Sequence, residues 1–588
     1  MLSAISEHLP PLHVDWLVLT RTAKGWQFGI AAGVGTVLVL HGLGKLLRTM
    51  VLVPKFTIMD DIPNLGRERK NGKIAGRAVV CGGSISGLFA ATICSFHFES
   101  VLIIEPEQTA DEHAIEVPKP MEFRTSADGT KRATSVRSRI AQYLAIHAFL
   151  PPITLGLRRL FPNLDEELDF FGVKAAPLFM RIHYGNVFSP EVYKADDPRV
   201  PQVFPITRSL FEVLLRRLVV KGRSSIIFLN GTVDGLERAA DGDSRLTGVH
   251  VRTKDGERSE PATLVVDATG PAQMAYHKWL KNAGFAGLPQ SKEYDPCIHY
   301  EQTVWTLPAK LHDQIDKIIP SGLRQGIVYT SIPDWTTGEK RVFVINVYER
   351  SQMVLSTASW GKNERPKTIP ETRAYIQSMV GSERTPPFVF ELLDVLEEHE
   401  EEISPWVYDA MIGKMNYIPY HDAKRLPSNW VAVGDAVMRL NPVYGQGCTK
   451  AMIDVTSLDN ILRTVPSQRK ILPKDFSKRF FNKRAPRVQG LWDGTKDTDY
   501  AFPATVVAEG DTRKTGAFGR NLGRYILITG RTNLDVQSVF FNVNCCLSPA
   551  TDLFSPLILA KITWTWLKST ICYGLQAANR TTSPVNRS

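Results

Sequence analysis

The stretch RAVVCGGSISGLFAA, residues 77–91, constrains this chain more than any other. Residues 78–81 are a short apolar run suited to a buried parallel strand. Gly82 and Gly83 permit a sharp turn, and Gly87 lets the next helix pack closely on the sheet. This is the strand, turn and helix of the dinucleotide fingerprint G-x-G-x-x-G, with Ser84 at its second glycine. Serine is the smallest replacement there after alanine, so a phosphate still comes near the backbone. The free N–H groups and dipole of the helix's first turn suit a pyrophosphate. A Gly-rich turn in an ordinary βαβ unit is the alternative.

The neighbouring segments favour a cofactor site. SVLIIEPE, residues 100–107, reads as a second strand ending in Glu105, about twenty residues past the glycines, where an acid accepts hydrogen bonds from ribose hydroxyls. RSLFEVLLRRLV, opening at Arg208, has apolar positions at a helical period, and LTGVHVRTKDGE alternates like paired strands about an Asp-Gly turn. ATLVVDATGP, residues 262–271, is a further buried strand ending in small residues. In residues 429–455, NWVAVGDAVMRLNPVYGQGCTKAMIDV, an apolar strand ends at Gly434 and Asp435. Gly445, Gln446 and Gly447 then open a new helix.

Composition narrows the class. A 588-residue chain with 43% apolar and 22% charged residues builds a substantial core and is not disordered. The seven cysteines are scattered without C-x-x-C pairs, which argues for no metal site, no disulfide framework and a reducing compartment. The net charge of +10 is spread along the chain with no nucleic-acid motif, so it reads as a surface facing anionic lipid and not as a nucleic-acid binder.

Two apolar tracts bear on that reading. Residues 25–44, GWQFGIAAGVGTVLVLHGLG, have the length of a bilayer crossing, with one His and no formal charge; a buried helix or a surface-lying anchor is the alternative. Lys45, Arg48 and Lys55 follow it as a basic flank, which places the catalytic body on the cytoplasmic side of a membrane, single-pass or monotopic. Residues 553–575 are interrupted by Pro556, Lys561 and Lys568, and read as an amphipathic helix. Its Trp564 and Trp566 suit a membrane interface, and packing on the protein's own body is the alternative. The tail ANRTTSPVNRS reads as disordered.

The order GGSISG, Glu105, VVDATG and VGDAVMRLNPVYGQG resembles the FAD-dependent monooxygenases of the para-hydroxybenzoate hydroxylase type, the class A flavoprotein monooxygenases, over residues 76–465. The segments RSRIAQY, LFPNLDEELDFFGV and ITRSLFEVLLRR are similar to a branch of FAD oxidoreductases that includes epoxidases. The resemblance implies FAD held by Gly82, Gly83, Ser84, Gly87, Glu105, Arg139 and Arg208. It implies that Asp435 binds the ribityl chain, and that Pro442, Gly445, Gln446 and Gly447 lie at the isoalloxazine ring. Two departures stand out: Val437 and Met438 replace the His that follows Gly-Asp-Ala-Ala in many members, and DATGP replaces an Asp-Gly pair tied to nicotinamide use. NADPH or NADH is therefore a transient donor that the resemblance permits and these residues leave open.

The expected fold is α/β: a Rossmann-like FAD-binding domain interleaved with a mixed β-sheet substrate domain, plus a helical C-terminal region and an N-terminal membrane anchor. The corresponding parts are an N-terminal segment 1–75 and FAD-binding parts 76–180, 205–270 and 422–465. A substrate-domain insertion 181–204, a substrate domain 271–421 and a C-terminal region 466–588 complete the chain. HYEQTVWTL, GIVYTSI and RVFVINVYE are its expected sheet strands, lining a pocket for a lipophilic small molecule or filling a sheet core. There is no G-x-S-x-G elbow, H-E-x-x-H helix or P-loop, and His277, His299 and Tyr300 are only pocket candidates, so the catalytic residues stay unassigned. The leading expectation is an oxygen-using monooxygenase of secondary metabolism that hydroxylates or epoxidises its substrate. An FAD-dependent dehydrogenase or reductase of a prenyl lipid, and a non-catalytic flavin-binding membrane protein, are the alternatives.

Overall fold

The computed structural model describes residues 34–581, except 37, 71, 108–112, 120, 136, 138, 141, 186, 195, 240–243, 271–274, 321–325, 350–351, 363–365, 404 and 468. Its contacts divide the chain into two units, Met1–Pro54 and Lys55–Ser588.

In the first unit the described residues are helical. The helix Val34–Phe56 has 23 residues, a mean hydropathy of 1.5 and no burial of its apolar window, so by length and composition it can cross a membrane. Residues 25–33 of the expected span lie outside the described residues. The helix runs on through Lys45 and Arg48, which the sequence reading treats as flank. A charged side chain removes no backbone hydrogen bond, so the helix continues past Lys45 and through a π-helical turn at Arg48–Leu52.

In the second unit a parallel sheet carries the fingerprint. Its strands, in spatial order, are Trp430–Ala432, Leu264–Asp267, Ile74–Cys81, Phe98–Glu105 and Ile226–Asn230. The central strands are mainly apolar and buried on both faces near their C-terminal ends, as a parallel sheet requires, while the edge strand Ile226–Asn230 leaves Ile227 exposed. The helix Ile85–His97 packs on this sheet almost wholly buried, and the helix Gly447–Arg463 packs in turn on Ile85–His97. Residues 55–70 belong to this body rather than to a separate N-terminal segment reaching residue 75. Ile58, Ile62 and Leu65 are in the core, Asp61 pairs with Arg487 at 2.5 Å, and Arg69 Nη1 donates to Leu462 O at 2.8 Å.

The second sheet has nine strands among the described residues. Its centre is antiparallel and is built from Trp406–Met411, Ile298–Thr306, Gln352–Trp360, Arg341–Val347 and Gly326–Ile332. The alternation of strand side chains sorts its two faces. Phe343, Ile345, Met353 and Leu355 pack under a helical layer with Leu311, Leu392 and Leu396. Val342, Val344, Ser356, Ala358 and Trp360 face the other way, into a cavity. After residue 466 the described chain is mostly helical, with helices Phe476–Asp499, Ala517–Gly530, Leu534–Asn544 and Pro556–Thr581.

Candidate functional site

At the end of Ile74–Cys81 the chain turns through Gly82, whose φ of +108° is one that side chains with a Cβ rarely adopt. The helix Ile85–His97 then abuts this turn: a Cβ at Gly87 would lie 1.9 Å from Gly82 O. Ser84 precedes the helix as its cap residue, and its hydroxyl is engaged. Oγ donates to Glu212 Oε2 at 2.8 Å and accepts from Arg208 Nη2 at 2.9 Å. Glu105, buried, accepts the Gly83 N–H at 2.7 Å through Oε2 and Arg137 Nη2 at 3.2 Å through Oε1.

Arg137 also pairs with Glu107 and Glu212, and Arg216 pairs with Glu212. Three arginines and three glutamates thus lock together behind the turn. The arrangement offsets the cost of burying charge only while every member keeps its partner. Burial lowers the Arg137 pKa, opposed by Glu105, and burial takes Arg208 down to about 10. Arg208 Nη1, 2.7 Å from Glu212 Oε2, has no hydrogen bond of good geometry, which leaves a buried donor beside the helix N-terminus.

Arg139 is not brought into this cluster. The bond from Ile140 N to Arg137 O, 3.1 Å, closes a turn there, and Arg139 in its middle is exposed. The inward arginine of RSR is Arg137, with 1% of its side chain exposed, and not Arg139, which the resemblance implies as an FAD contact. Only the turn separates the two arginines of RSR, and it is not evident from residue types.

At the other end, Trp430–Ala432 delivers a short turn, Gly434–Ala436, with Asp435 partly exposed. Gln142 Nε2 donates to Asp435 Oδ2 at 3.3 Å. The wholly buried Lys450 Nζ stands 3.6 Å from Asp435 Oδ1 and 3.9 Å from Asp454 Oδ2 without a hydrogen bond to protein. Asp454 in turn accepts Gly434 N at 2.9 Å and Arg484 Nε at 2.6 Å. Asn441 caps the turn Pro442–Tyr444 by accepting Val443 N at 3.1 Å, Gly445 follows at φ +68°, and the helix Gly447–Arg463 begins. A Cβ at Gly447 would meet nothing within 4 Å, so the helix start faces open space.

That space borders a cavity of about 910 Å³ lined by Pro442, Gly445 and Gln446 together with apolar groups. Tyr300 and Ile412 come from the sheet and its edge, and Trp360 stacks on Phe502 with ring centroids 3.9 Å apart. His277 and His299 are not among the lining residues. Besides the expected strands of 271–421, helices after residue 476 supply much of the wall, including Leu527, Phe540, Leu553 and Phe554.

Behind the wall lies Asp499, fully buried. Its carboxylate accepts Tyr294 OH at 2.8 Å, Trp360 Nε1 at 3.0 Å, Asn441 Nδ2 at 2.9 Å and Tyr444 OH at 3.1 Å. Burial pushes its pKa up to about 6 against the pull of these donors. No sequence motif marks Asp499, Glu212 or Lys450. Each is recognisable only by partners distant in the chain or on another turn of its helix.

The residues present fit a dinucleotide reaching from the turn to the cavity. A helix N-terminus with an unsatisfied arginine donor suits a pyrophosphate, and the open ground before Gly447 admits a ring. No protein-family model matches the chain. Protein Rv3254 of Mycobacterium tuberculosis (strain ATCC 25618 / H37Rv) is 24% identical over 405 residues, 67% of this chain and 74% of its own. A flavoprotein/dehydrogenase from Cytophaga hutchinsonii superposes with a TM-score of 0.50 at 10% identity, over 84% of this chain and all of the other. A probable FAD-dependent monooxygenase from Pseudomonas aeruginosa, PqsL, gives 0.48 at 14% identity, over 76% of this chain and all of its own. The chain therefore shares the fold of the Cytophaga flavoprotein/dehydrogenase.

Proposed function

We propose that this protein is a membrane-associated, FAD-dependent monooxygenase that hydroxylates or epoxidises a lipophilic small molecule. The observation that carries the reading is adjacency: Gly434 abuts Ser86 beside the turn at Gly82–Gly87, Gln142 donates to Asp435, and Gln142, Gly445 and Gln446 line the large apolar cavity. Glu105 would bind the ribose, the helix N-terminus with Ser84 and Arg208 the pyrophosphate, Asp435 the ribityl chain, and Gly445–Gly447 the ring. FAD, reduced by NADPH or NADH, supplies the activation of molecular oxygen. The chain's own part is to bind and exclude water. Trp360, Phe502 and Ile412 desolvate the substrate, and the Asp499 hydrogen bonds keep Tyr444 and Asn441 fixed beside it. The exposed apolar helix Val34–Phe56 supports attachment to a membrane, with the catalytic body on the cytoplasmic side.

The description of the Cytophaga protein as a flavoprotein/dehydrogenase keeps an FAD-dependent dehydrogenase as a second reading. The test is to incubate the membrane-bound protein with NADPH or NADH and a panel of lipophilic compounds, following oxygen uptake and product mass. A product one oxygen atom heavier, with matching oxygen uptake, is expected. Substrate oxidation or reduction without incorporated oxygen refutes the monooxygenase in favour of the dehydrogenase, and bound flavin that never cycles refutes both.

A further inference from the structure

The C-terminal helix Pro556–Thr581 has two unlike faces. Ile558 and Ile562 are buried against Ile526 and Val536, so this side packs on the protein's own body. Leu557, Trp564 and Ile571, seven residues apart and therefore on one stripe, are 63%, 61% and 60% exposed. Leu567 flanks the stripe, also exposed, and Lys568 Nζ lies 5.2 Å from the Trp564 ring centre. The helix sequence holds Lys561, Lys568 and Arg580 and not one Asp or Glu. Lys561 is paired with Asp535, which leaves an apolar stripe with Trp564 and the basic Lys568 beside it, a combination that complements an anionic lipid surface.

The cavity wall lies directly beneath this helix. Phe540 and Leu553 line the cavity and also pack in the cluster that buries Ile558 and Ile562. Phe554, three residues before Leu557, lines the cavity while 52% exposed, which places it at an opening. Phe518, 78% exposed, adjoins Gly519 of the wall. Phe56, Thr57 and Ile58, which also line the cavity, come next in the chain after the apolar stretch of the helix Val34–Phe56. The C-terminal helix therefore follows in the chain directly from a segment that lines this cavity.

We propose that the stripe Leu557, Trp564 and Ile571 rests on a lipid bilayer and that the cavity opens to this bilayer beside Phe554, so that substrate enters from the membrane and not from water. The inference rests on the lipophilic substrate proposed above and adds its route. A bilayer concentrates an apolar solute and delivers it to Phe554, Leu553 and Phe540 without passage through water. A second copy of the chain on the stripe is the competing occupant.

The test uses the full chain reconstituted in vesicles of phosphatidylcholine with a minority of phosphatidylserine, containing a photoactivatable diazirine fatty acid. Irradiation followed by peptide mass spectrometry is expected to show label on the stripe and on Phe540, Leu553 and Phe554. Leu557→Glu with Ile571→Glu, both at exposed positions, is expected to lose that label while the flavin spectrum is unchanged. Label confined to Val34–Phe56 overturns the proposal, and label on the stripe without Phe540 or Leu553 overturns the entry route. Lipid label absent from the stripe together with protein–protein cross-links through it assigns the face to a second copy. Labelling requires neither flavin nor turnover, so its failure is separate from failure of the monooxygenase reading.

Discussion

Gly447→Ala separates the fold from the cofactor site. The added Cβ meets no protein atom within 4 Å, so it costs the empty protein nothing sterically. Gly447 opens the helix Gly447–Arg463, where alanine is favoured over glycine by up to about 1 kcal/mol, so the melting temperature of the flavin-free protein holds or rises. If the flavin ring lies against this helix start, the methyl group takes space that the ring needs. Overpacking of this size costs about 1–3 kcal/mol, which raises the Kd for FAD about 5- to 150-fold. Gly87→Ala is the opposite case. Its Cβ would be 1.9 Å from Gly82 O, a backbone atom that no rotamer change can move, so the flavin-free protein itself loses stability. Scanning calorimetry of the stripped proteins and fluorescence titration with FAD read the two effects separately. A Gly447→Ala protein that binds FAD with the wild-type Kd would refute the placement of the ring at this helix.

The remaining expectations concern charge and boundaries. Glu212→Gln leaves Arg137, Arg208 and Arg216 without their shared partner and is expected to cost about 3–5 kcal/mol in chemical denaturation, far more than the same change at an exposed glutamate. Ser84→Gly removes the hydroxyl between Glu212 and Arg208 and is expected to weaken FAD binding about 5-fold, roughly one hydrogen bond, whereas Ser84→Leu abolishes it; FAD titration distinguishes them. Burial raises the Asp267 pKa from 3.8 to about 7, so the folded state holds this proton more tightly than the unfolded one. Its contribution to stability is full below about pH 4 and is lost as the pH rises to about 7. Asp267→Asn is therefore expected to flatten the fall of stability over that window in pH-dependent denaturation. A chain begun at Lys55 is expected to leave the membrane fraction more readily and still bind FAD. One begun at Gly72 loses Ile58, Ile62 and Leu65 from the core and melts lower.

The parts of this protein that its sequence determines are those governed by neighbours in the chain. The apolar run before Gly82, the small residue at Gly87 and the acid at Glu105 are local requirements of a strand, a closely packed helix and a second strand, and the structure contains them in that order. The period of two in RVFVINV likewise places Val342 and Val344 on one face and Phe343 and Ile345 on the other, although which face meets the cavity is not a local matter. What tertiary structure decided are the pairings across the chain. A turn turned Arg139 outward and Arg137 inward; a helix far from the fingerprint brought Glu212 to Ser84; and residues after 476 closed the cavity and set Asp499 against Tyr294, Trp360, Asn441 and Tyr444. A side chain's type states what it can bond to. Only the packing of distant segments, driven by burial of surface that carries no positional code, decides which partner it meets.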